Sequence, residues 1–262
     1  MKKQLWIFGD SYVDKTFPEK SSAYKRWWEY LEEDFKIHNF GITGSGPRDA
    51  LTRFYRTMQW QRNTNEISVL FILSDIERVS FCNLPAERQH QLSFHGKPSG
   101  EIEYSVIKTM KELRPLYYSM VEHYFTTESW TTELFSIVNT LHVLSKSFKK
   151  ILVLQAFGHP SISDSLKPGF KNNLQILNEE SSQWKFVDTP LAKLSIENCL
   201  DMKEEVLHSP DHRLNHFGQS MSAKLGKQVL KCFRNETFNI RKLTLSRNNF
   251  NYSTNRYWNY NE

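Results

Sequence analysis

Four short apolar runs constrain the fold of this 262-residue chain more than any other feature. Each run is followed by polar or turn-forming residues, and the runs are residues 5–8, 69–73, 151–155 and 186–188. They are uniformly apolar rather than alternating, which is typical of strands buried on both faces of a sheet. A weaker run at residues 35–39 precedes a glycine-rich stretch and is predicted to be a further strand.

Amphipathic patterns lie between these runs. Residues 23–35 carry one helical stripe of apolar side chains, and similar stripes occupy residues 48–60, 134–148 and 218–233. Strands that alternate with helices are joined by crossovers into a parallel sheet. We therefore predict an α/β fold with three layers, α/β/α, around a central and mostly parallel sheet.

Two segments depart from this alternation. Residues 80–132 are rich in His, Tyr and Glu, and we predict a largely helical insertion over one end of the sheet. Residues 233–262 contain eight Asn with scattered Tyr, Trp and Arg, and we predict a C-terminal tail. The predicted organisation is one domain over residues 1–232, including the insertion, followed by this tail.

Charge and cysteine content limit the classes of function. The tail accounts for +3 of the net charge of +5, so the body is nearly neutral and no nucleic-acid partner is expected. Cys82, Cys199 and Cys232 are far apart and match no redox or metal spacing, which is typical of reduced thiols. The first apolar run is too short for a secretory signal, and no stretch has the length of a membrane span. We expect a soluble cytoplasmic protein without a membrane partner; a phage or viral origin and the oligomeric state stay open.

Polar blocks follow the apolar runs, at the edge where open parallel sheets bind their ligands. Gly9-Asp10-Ser11 follows the first run, and "NFGITGSG" ends the weaker run. Next come "SDIERV" and "AFGHPS", and "SPDHRLNHFGQS" precedes the last helical stripe. From this alone, Ser11 is either a nucleophile presented at the end of a strand or a polar turn residue.

Taken in this order, over residues 5–230, the blocks resemble those of the SGNH/GDSL hydrolase family. The resemblance implies a flavodoxin-like sheet and assigns the nucleophile to Ser11, whose backbone N–H also points into the oxyanion hole. Asn39, Gly41 and Gly44 match the family's N-x-G-x-x-G block, which places a second backbone donor on Gly44. Glycine suits that position physically, because its bare backbone can approach a substrate oxygen closely.

The third block departs from the family pattern G-x-N-D. Ser74 stands where the family has the Asn that donates to the oxyanion. A serine hydroxyl can donate but reaches less far, and loss of one such donor can slow a reaction by roughly two to three orders of magnitude. Arg78, just beyond, is a further candidate donor, and Ser74 could also be only the polar end of a strand.

The last block also departs, because neither candidate histidine has an Asp three residues before it. We favour His216 as the general base, with Asp211 orienting its imidazole, and His212 as the alternative base. Asp10 and His159 are further candidates for the pocket, although a histidine before proline also suits a turn.

Three histidines in this block, His208, His212 and His216, have the spacing that would align them on a helix and suggest a metal. Pro210 and the loop-like residues around it argue against that helix. No metal and no other cofactor is predicted.

The resemblance implies a serine esterase that works through a Ser-His-Asp triad and an acyl-enzyme. The expected partner is a small-molecule or carbohydrate ester, with a small acyl group such as acetyl on a carbohydrate as the preferred substrate. The alternative is a catalytically weakened protein of the same fold that binds a glycan or a protein partner. The altered third and last blocks favour that alternative.

Overall fold

The computed structural model describes residues 2–15, 25–42, 45–74, 78–79, 92–93, 127–156, 168–191 and 219–234. Most of the predicted insertion and nearly all of the predicted tail lie outside these residues. The predicted division of the chain into domain, insertion and tail therefore stays a prediction.

Five parallel strands form the central sheet, in the order β2-β1-β3-β6-β7. Their bounds are β1 Lys3–Phe8, β2 Phe35–Asn39, β3 Ile67–Leu73, β6 Lys150–Gln155 and β7 Trp184–Pro190. Within the described residues, two shorter strands, β4 Arg78–Val79 and β5 Leu92–Ser93, pair antiparallel in a separate sheet. The prediction of an α/β fold with a parallel central sheet is confirmed.

The middle strand, β3, shows why a uniformly apolar run indicates a strand in the centre of the sheet. All seven of its residues are buried. Leu70 and Ile72 belong to the apolar cluster on one face of the sheet, and Phe71 belongs to the cluster on the other. A strand covered on both faces has no polar side in its sequence.

Helices cover both faces. A 3₁₀-helix, Trp27–Glu33, and helix α4, Gln219–Phe233, contribute to one cluster; α1 Pro47–Gln59, α2 Thr127–Ser145 and α3 Pro168–Glu180 contribute to the other. The predicted three layers are therefore present. Among the helices described, none combines the length and apolar character needed to cross a membrane.

A buried lysine fixes the direction of α4. The Lys150 ammonium, at the start of β6, donates to the carbonyl oxygen of Cys232 at 2.5 Å, near the end of α4. Burial lowers the pKa of Lys150, while its charge favours the negative end of the helix dipole. Helix α4 therefore runs antiparallel to β6 and begins toward the carboxyl ends of the strands.

Cys232 itself is a free and buried thiol, as the sequence predicted for it. Desolvation raises its pKa to about 11, so the unreactive protonated form prevails at neutral pH. Cys82 and Cys199 lie outside the described residues.

The 3₁₀-helix and α4 pack unusually closely. A Cβ at Gly226 would lie 2.5 Å from the carbonyl oxygen of Trp27 and 2.6 Å from Cβ of Tyr30. At the far end, the Arg234 guanidinium donates to both carboxylate oxygens of Asp34, at 2.7 and 2.8 Å. These hydrogen bonds hold the pKa of Asp34 below its usual value.

Several element boundaries differ from the prediction. The stripe at residues 23–35 corresponds to a seven-residue 3₁₀-helix, because Phe35 already pairs with Lys3 in the sheet and leaves no room for further turns. Helix α2 begins at Thr127, inside the range assigned to the insertion, and α3 was not predicted because its apolar stripe is weak. Strand β5 has two residues, too few to show a pattern.

Gly226→Ala is expected to destabilise the fold, although Ala is favoured over Gly by about 1 kcal/mol inside a helix. The added methyl would meet backbone atoms of the 3₁₀-helix, and forced overpacking typically costs about 1–3 kcal/mol. Urea unfolding followed by circular dichroism measures the free energy of unfolding. Lys227→Ala, at the exposed neighbouring position, is the matched control and should change stability by less than about 0.5 kcal/mol. A Gly226→Ala protein more stable than wild type would contradict the close packing.

Candidate active site

The carboxyl ends of β1 and β3 mark the point where the strand order reverses. After β1 the chain passes through the 3₁₀-helix to β2, and then through α1, on the opposite face, to β3 on the other side of β1. A crevice opens at such a point in open α/β sheets, and ligands bind there. Phe8 pairs with Phe71, so the segments that leave β1 and β3, which contain Ser11 and Ser74, start at the same edge of the sheet. Two of the predicted site residues thus flank the crevice.

A tight turn carries Ser11 away from the end of β1. Gly9 has a φ of +155°, and a Cβ there would lie 2.6 Å from Cβ of Ile72. Asp10 is fully buried; its carboxylate accepts the N–H of Tyr12 and its carbonyl accepts the N–H of Val13, both at 3.1 Å. Ser11 is partly exposed at the tip of this turn. The residues around Ser11 are therefore held by the fold, while Ser11 itself is accessible.

The turn is fastened on two sides. From the 3₁₀-helix, the indole N–H of Trp27 donates to the carbonyl of Tyr12 at 2.8 Å. From the end of β2, the side-chain amide of Asn39 donates to the carbonyl of Val13 at 2.7 Å and accepts the N–H of Gly41 at 2.8 Å. Asn39, part of the predicted second block, thus links that block to the turn that carries Ser11.

The residues of the second block that follow β2 keep hydrogen bonding to the end of β1 and to the residue after it. The N–H of Phe40 donates to Ile7 at 2.8 Å, and the N–H of Ile42 donates to Gly9 at 3.1 Å. Gly41 lies so close to the turn that a Cβ would be 2.7 Å from the carbonyl oxygen of Val13. The two loops behind Ser11 therefore pack backbone to backbone.

Ser74 directly follows the last residue of β3, and it is 6% exposed. Its backbone neighbour Leu73 is tied to β6 by the N–H of Ala156, at 2.7 Å, but the Ser74 hydroxyl makes no hydrogen bond within the described part of the chain. A buried hydroxyl without a partner is unfavourable by about 1–3 kcal/mol. Such a group is a candidate for hydrogen bonding to a ligand.

The remaining predicted site residues are not tested. Arg78 lies in β4, where only the backbone is described. The others lie outside the described residues, and they are Gly44, His159, Asp211, His212 and His216.

A buried guanidinium at this edge was missed by the sequence analysis. Arg53, on α1, donates to the carbonyls of Gly9 and Phe40, at 3.2 and 3.1 Å, and to the hydroxyl of Ser45 at 2.7 Å. It also forms an ion pair with Asp49, one helical turn earlier. Burial lowers the pKa of Arg53, and the Asp49 carboxylate opposes this shift. The sequence feature that could have pointed to Arg53 is its i, i+4 spacing from Asp49. That spacing is common on exposed helix faces, so it does not single out a residue near a site.

Comparison with protein-family models and with curated proteins found no match to this chain. Solved structures with similar architecture include YxiM of Bacillus subtilis, with 11% identity and a TM-score of 0.46; the match covers 90% of this chain and 57% of YxiM. A catalytic mutant of Axe2, an acetylxylan esterase from Geobacillus stearothermophilus, has 13% identity and a TM-score of 0.42, covering 94% and 97%. The psychrotrophic esterase EstA from Pseudoalteromonas sp. has 10% identity and a TM-score of 0.45, covering 89% and 98%. All three scores are below 0.5.

Asn39→Ala is expected to loosen the turn that carries Ser11. The substitution removes both the donor to the Val13 carbonyl and the acceptor of the Gly41 N–H. The expected loss of stability is about 2 kcal/mol, since two buried backbone groups lose their partner. Hydrogen–deuterium exchange of peptides spanning residues 9–15 measures local opening of the turn. Urea unfolding measures the stability of the whole protein, so the two together separate a local effect from a global one.

Asn39→Asp keeps the acceptor for Gly41 and should show a smaller effect. His38→Ala, at the preceding position of the same strand, is the control and should leave exchange in residues 9–15 unchanged. If Asn39→Ala also left that exchange unchanged, Asn39 would not be fastening the turn.

Proposed function

We propose that this protein is a serine ester hydrolase of the SGNH/GDSL type, with Ser11 as its nucleophile. One observation carries the proposal: Ser11 is partly exposed at the tip of a buried turn, at the sheet's switch point, and the buried Ser74 hydroxyl at the same edge makes no hydrogen bond to the described residues. The order of the sequence blocks provides independent support.

The direction of α4 supports His216 as the general base. Three positions separate His216 from Gln219, the first residue of α4, and three residues of extended chain span at most about 11 Å. Helix α4 begins toward the carboxyl ends of the strands, where Ser11 lies. Asp211 is then proposed to orient the imidazole, and His212 stays the alternative base.

In the proposed reaction, His216 accepts the proton of the Ser11 hydroxyl while the serine oxygen attacks the ester carbonyl carbon. The backbone N–H groups of Ser11 and Gly44 and the hydroxyl of Ser74 donate to the developing oxyanion. The alcohol leaves with the proton from His216, and water then hydrolyses the acyl-enzyme by the same route.

The proposed substrate is a small acyl ester, such as an acetyl group on a carbohydrate. This choice comes from the resemblance of the sequence blocks. It is consistent with the sequence of residues 80–132, which lacks a large apolar run suited to a long acyl chain.

Labelling with a fluorophosphonate and turnover of p-nitrophenyl acetate test the proposal. Wild type should be labelled on Ser11 and should turn over the ester, and Ser11→Ala should do neither. His216→Ala should lower kcat by about 10⁴-fold or more, because the general base is lost. His212→Ala is the matched control and should stay within about tenfold of wild type. A wild-type protein that is neither labelled nor active would favour the alternative, a protein of this fold that binds a glycan or a protein partner.

Ser74→Ala tests the third oxyanion donor. The substitution removes a buried hydroxyl without a described partner, so thermal stability should stay equal or rise. If the hydroxyl stabilises the oxyanion, kcat should nevertheless fall by about 10²-fold. Ser68→Ala, buried near the other end of the same strand, is the control for kcat. Unchanged kcat in Ser74→Ala would leave two backbone donors as the proposed oxyanion hole.

A further inference from the structure

We propose that Arg53 is a positioning residue, which holds the turn that carries Ser11 against the two ends of the neighbouring loop, at Phe40 and Ser45. This inference rests on the proposed function, because the position of this turn matters only if Ser11 attacks an ester and its N–H donates to the oxyanion. Arg53 acts through the backbone of other residues and is not itself assigned contact with substrate.

Arg53 joins the segment that follows β1 to the segment that follows β2. Its Nη2 donates to the carbonyl of Gly9, which immediately precedes the turn that carries Ser11, and to the Ser45 hydroxyl. Its Nε donates to the carbonyl of Phe40. Phe40 and Ser45 lie before and after residues 41–44, so one guanidinium fixes both ends of that stretch.

The end of the stretch at Ser45 is fixed most completely. Ser45 is fully buried, and its hydroxyl accepts from Arg53 while donating to Asp49 at 2.9 Å. Its backbone N–H donates to the carbonyl of Ile42 at 3.0 Å.

Only a guanidinium fits this set of acceptors. Arg53 uses three nitrogen atoms in one plane: Nε toward Phe40, Nη2 toward Gly9 and Ser45, and Nη1 toward Asp49. A lysine ammonium has a single nitrogen and cannot reach acceptors that are spread around a fork. The Arg53 side chain is only 16% exposed. The side chain of its partner Asp49 is 26% exposed, and an ion pair that water can reach contributes little to stability, which favours a role in fixing geometry.

The expected consequence is a loss of kcat rather than of substrate affinity. Oxyanion donors act on charge that develops in the transition state, so their displacement leaves ground-state binding largely intact. A misplacement of about 1 Å can lower a rate by roughly 10²-fold.

Arg53→Lys keeps the charge next to Asp49 and is the principal variant. With p-nitrophenyl acetate, kcat should fall by about 10- to 100-fold while KM changes by less than about threefold. Arg48→Ala is the matched control, because Arg48 lies on the same helix and pairs instead with Glu133 of α2. Its kcat should stay within about threefold of wild type.

Ser45→Ala provides a second test that leaves the Arg53–Asp49 ion pair in place. It removes the loop's side-chain anchor and should lower kcat by about tenfold, with circular dichroism confirming a folded protein. If Arg53→Lys does not fold, the kcat of Ser45→Ala decides the question.

A thionoester substrate separates positioning from a purely structural effect. Sulfur is larger than oxygen and accepts hydrogen bonds poorly, so a thionoester gains less from an ordered oxyanion hole. Both variants should therefore lose activity on p-nitrophenyl acetate more than on p-nitrophenyl thionoacetate. A loss of correctly folded enzyme would lower both rates equally and overturn the inference.

The two proposals can fail separately. If Ser11→Ala keeps full activity, the proposed function is wrong. If Ser11 is required but Arg53→Lys and Ser45→Ala leave kcat and the ester-to-thionoester ratio unchanged, the role of Arg53 is wrong and the proposed function stands.

Discussion

The parallel pairing of β1 between β2 and β3 is the constraint on which the rest of the structure depends. It brings the ends of three strands to one edge of the sheet, with β1 in the middle. The 3₁₀-helix and α1, which belong to the two connections, pack on opposite faces of the sheet. Burial of β1 and β3 on both faces keeps this pairing in register, because a slip by one residue would reorient every side chain.

The site is held to this sheet by hydrogen bonds and close contacts that involve backbone groups, and not by packing of apolar side chains. The carbonyl of Gly9 accepts hydrogen bonds from the N–H of Ile42 and from the Arg53 guanidinium, and Gly41 packs directly on Val13. Asn39 links the same two loops through its side chain. These contacts join the described parts of the two loops, residues 9–13 and 39–42, directly to one another.

Much of the sheet could be predicted from sequence, because a strand buried on both faces has an unmistakable apolar run. The helices α1 and α4 were predicted within one or two residues for a similar reason, since each has a strong apolar stripe. The 3₁₀-helix could not be predicted, because its length is set by where Phe35 pairs in the sheet. Strand order leaves no local pattern, since it depends on the crossovers; only the resemblance, which implied a flavodoxin-like sheet, pointed to the observed order.

The candidate site was predicted unevenly. Ser11 and Ser74 were located because they follow apolar runs, and the structure brings both to the same edge. Arg53 was missed because its partners are backbone carbonyls, which any residue possesses and no sequence pattern reveals. The roles assigned to Ser11, Ser74, Gly44, Asp211 and His216 all stay predictions.

The packing of Gly9 bears on how much the Gly-Asp-Ser motif says about activity. Its positive φ and the contact with Ile72 exclude any side chain, whatever reaction the protein performs. Asp10 is likewise suited to the turn, because its buried carboxylate accepts the N–H of Tyr12. A descendant of this chain that had lost all activity would still be selected to keep both residues for folding. Gly9 and Asp10 therefore indicate only the fold, and Ser11 is the residue of the motif that bears on a chemical reaction.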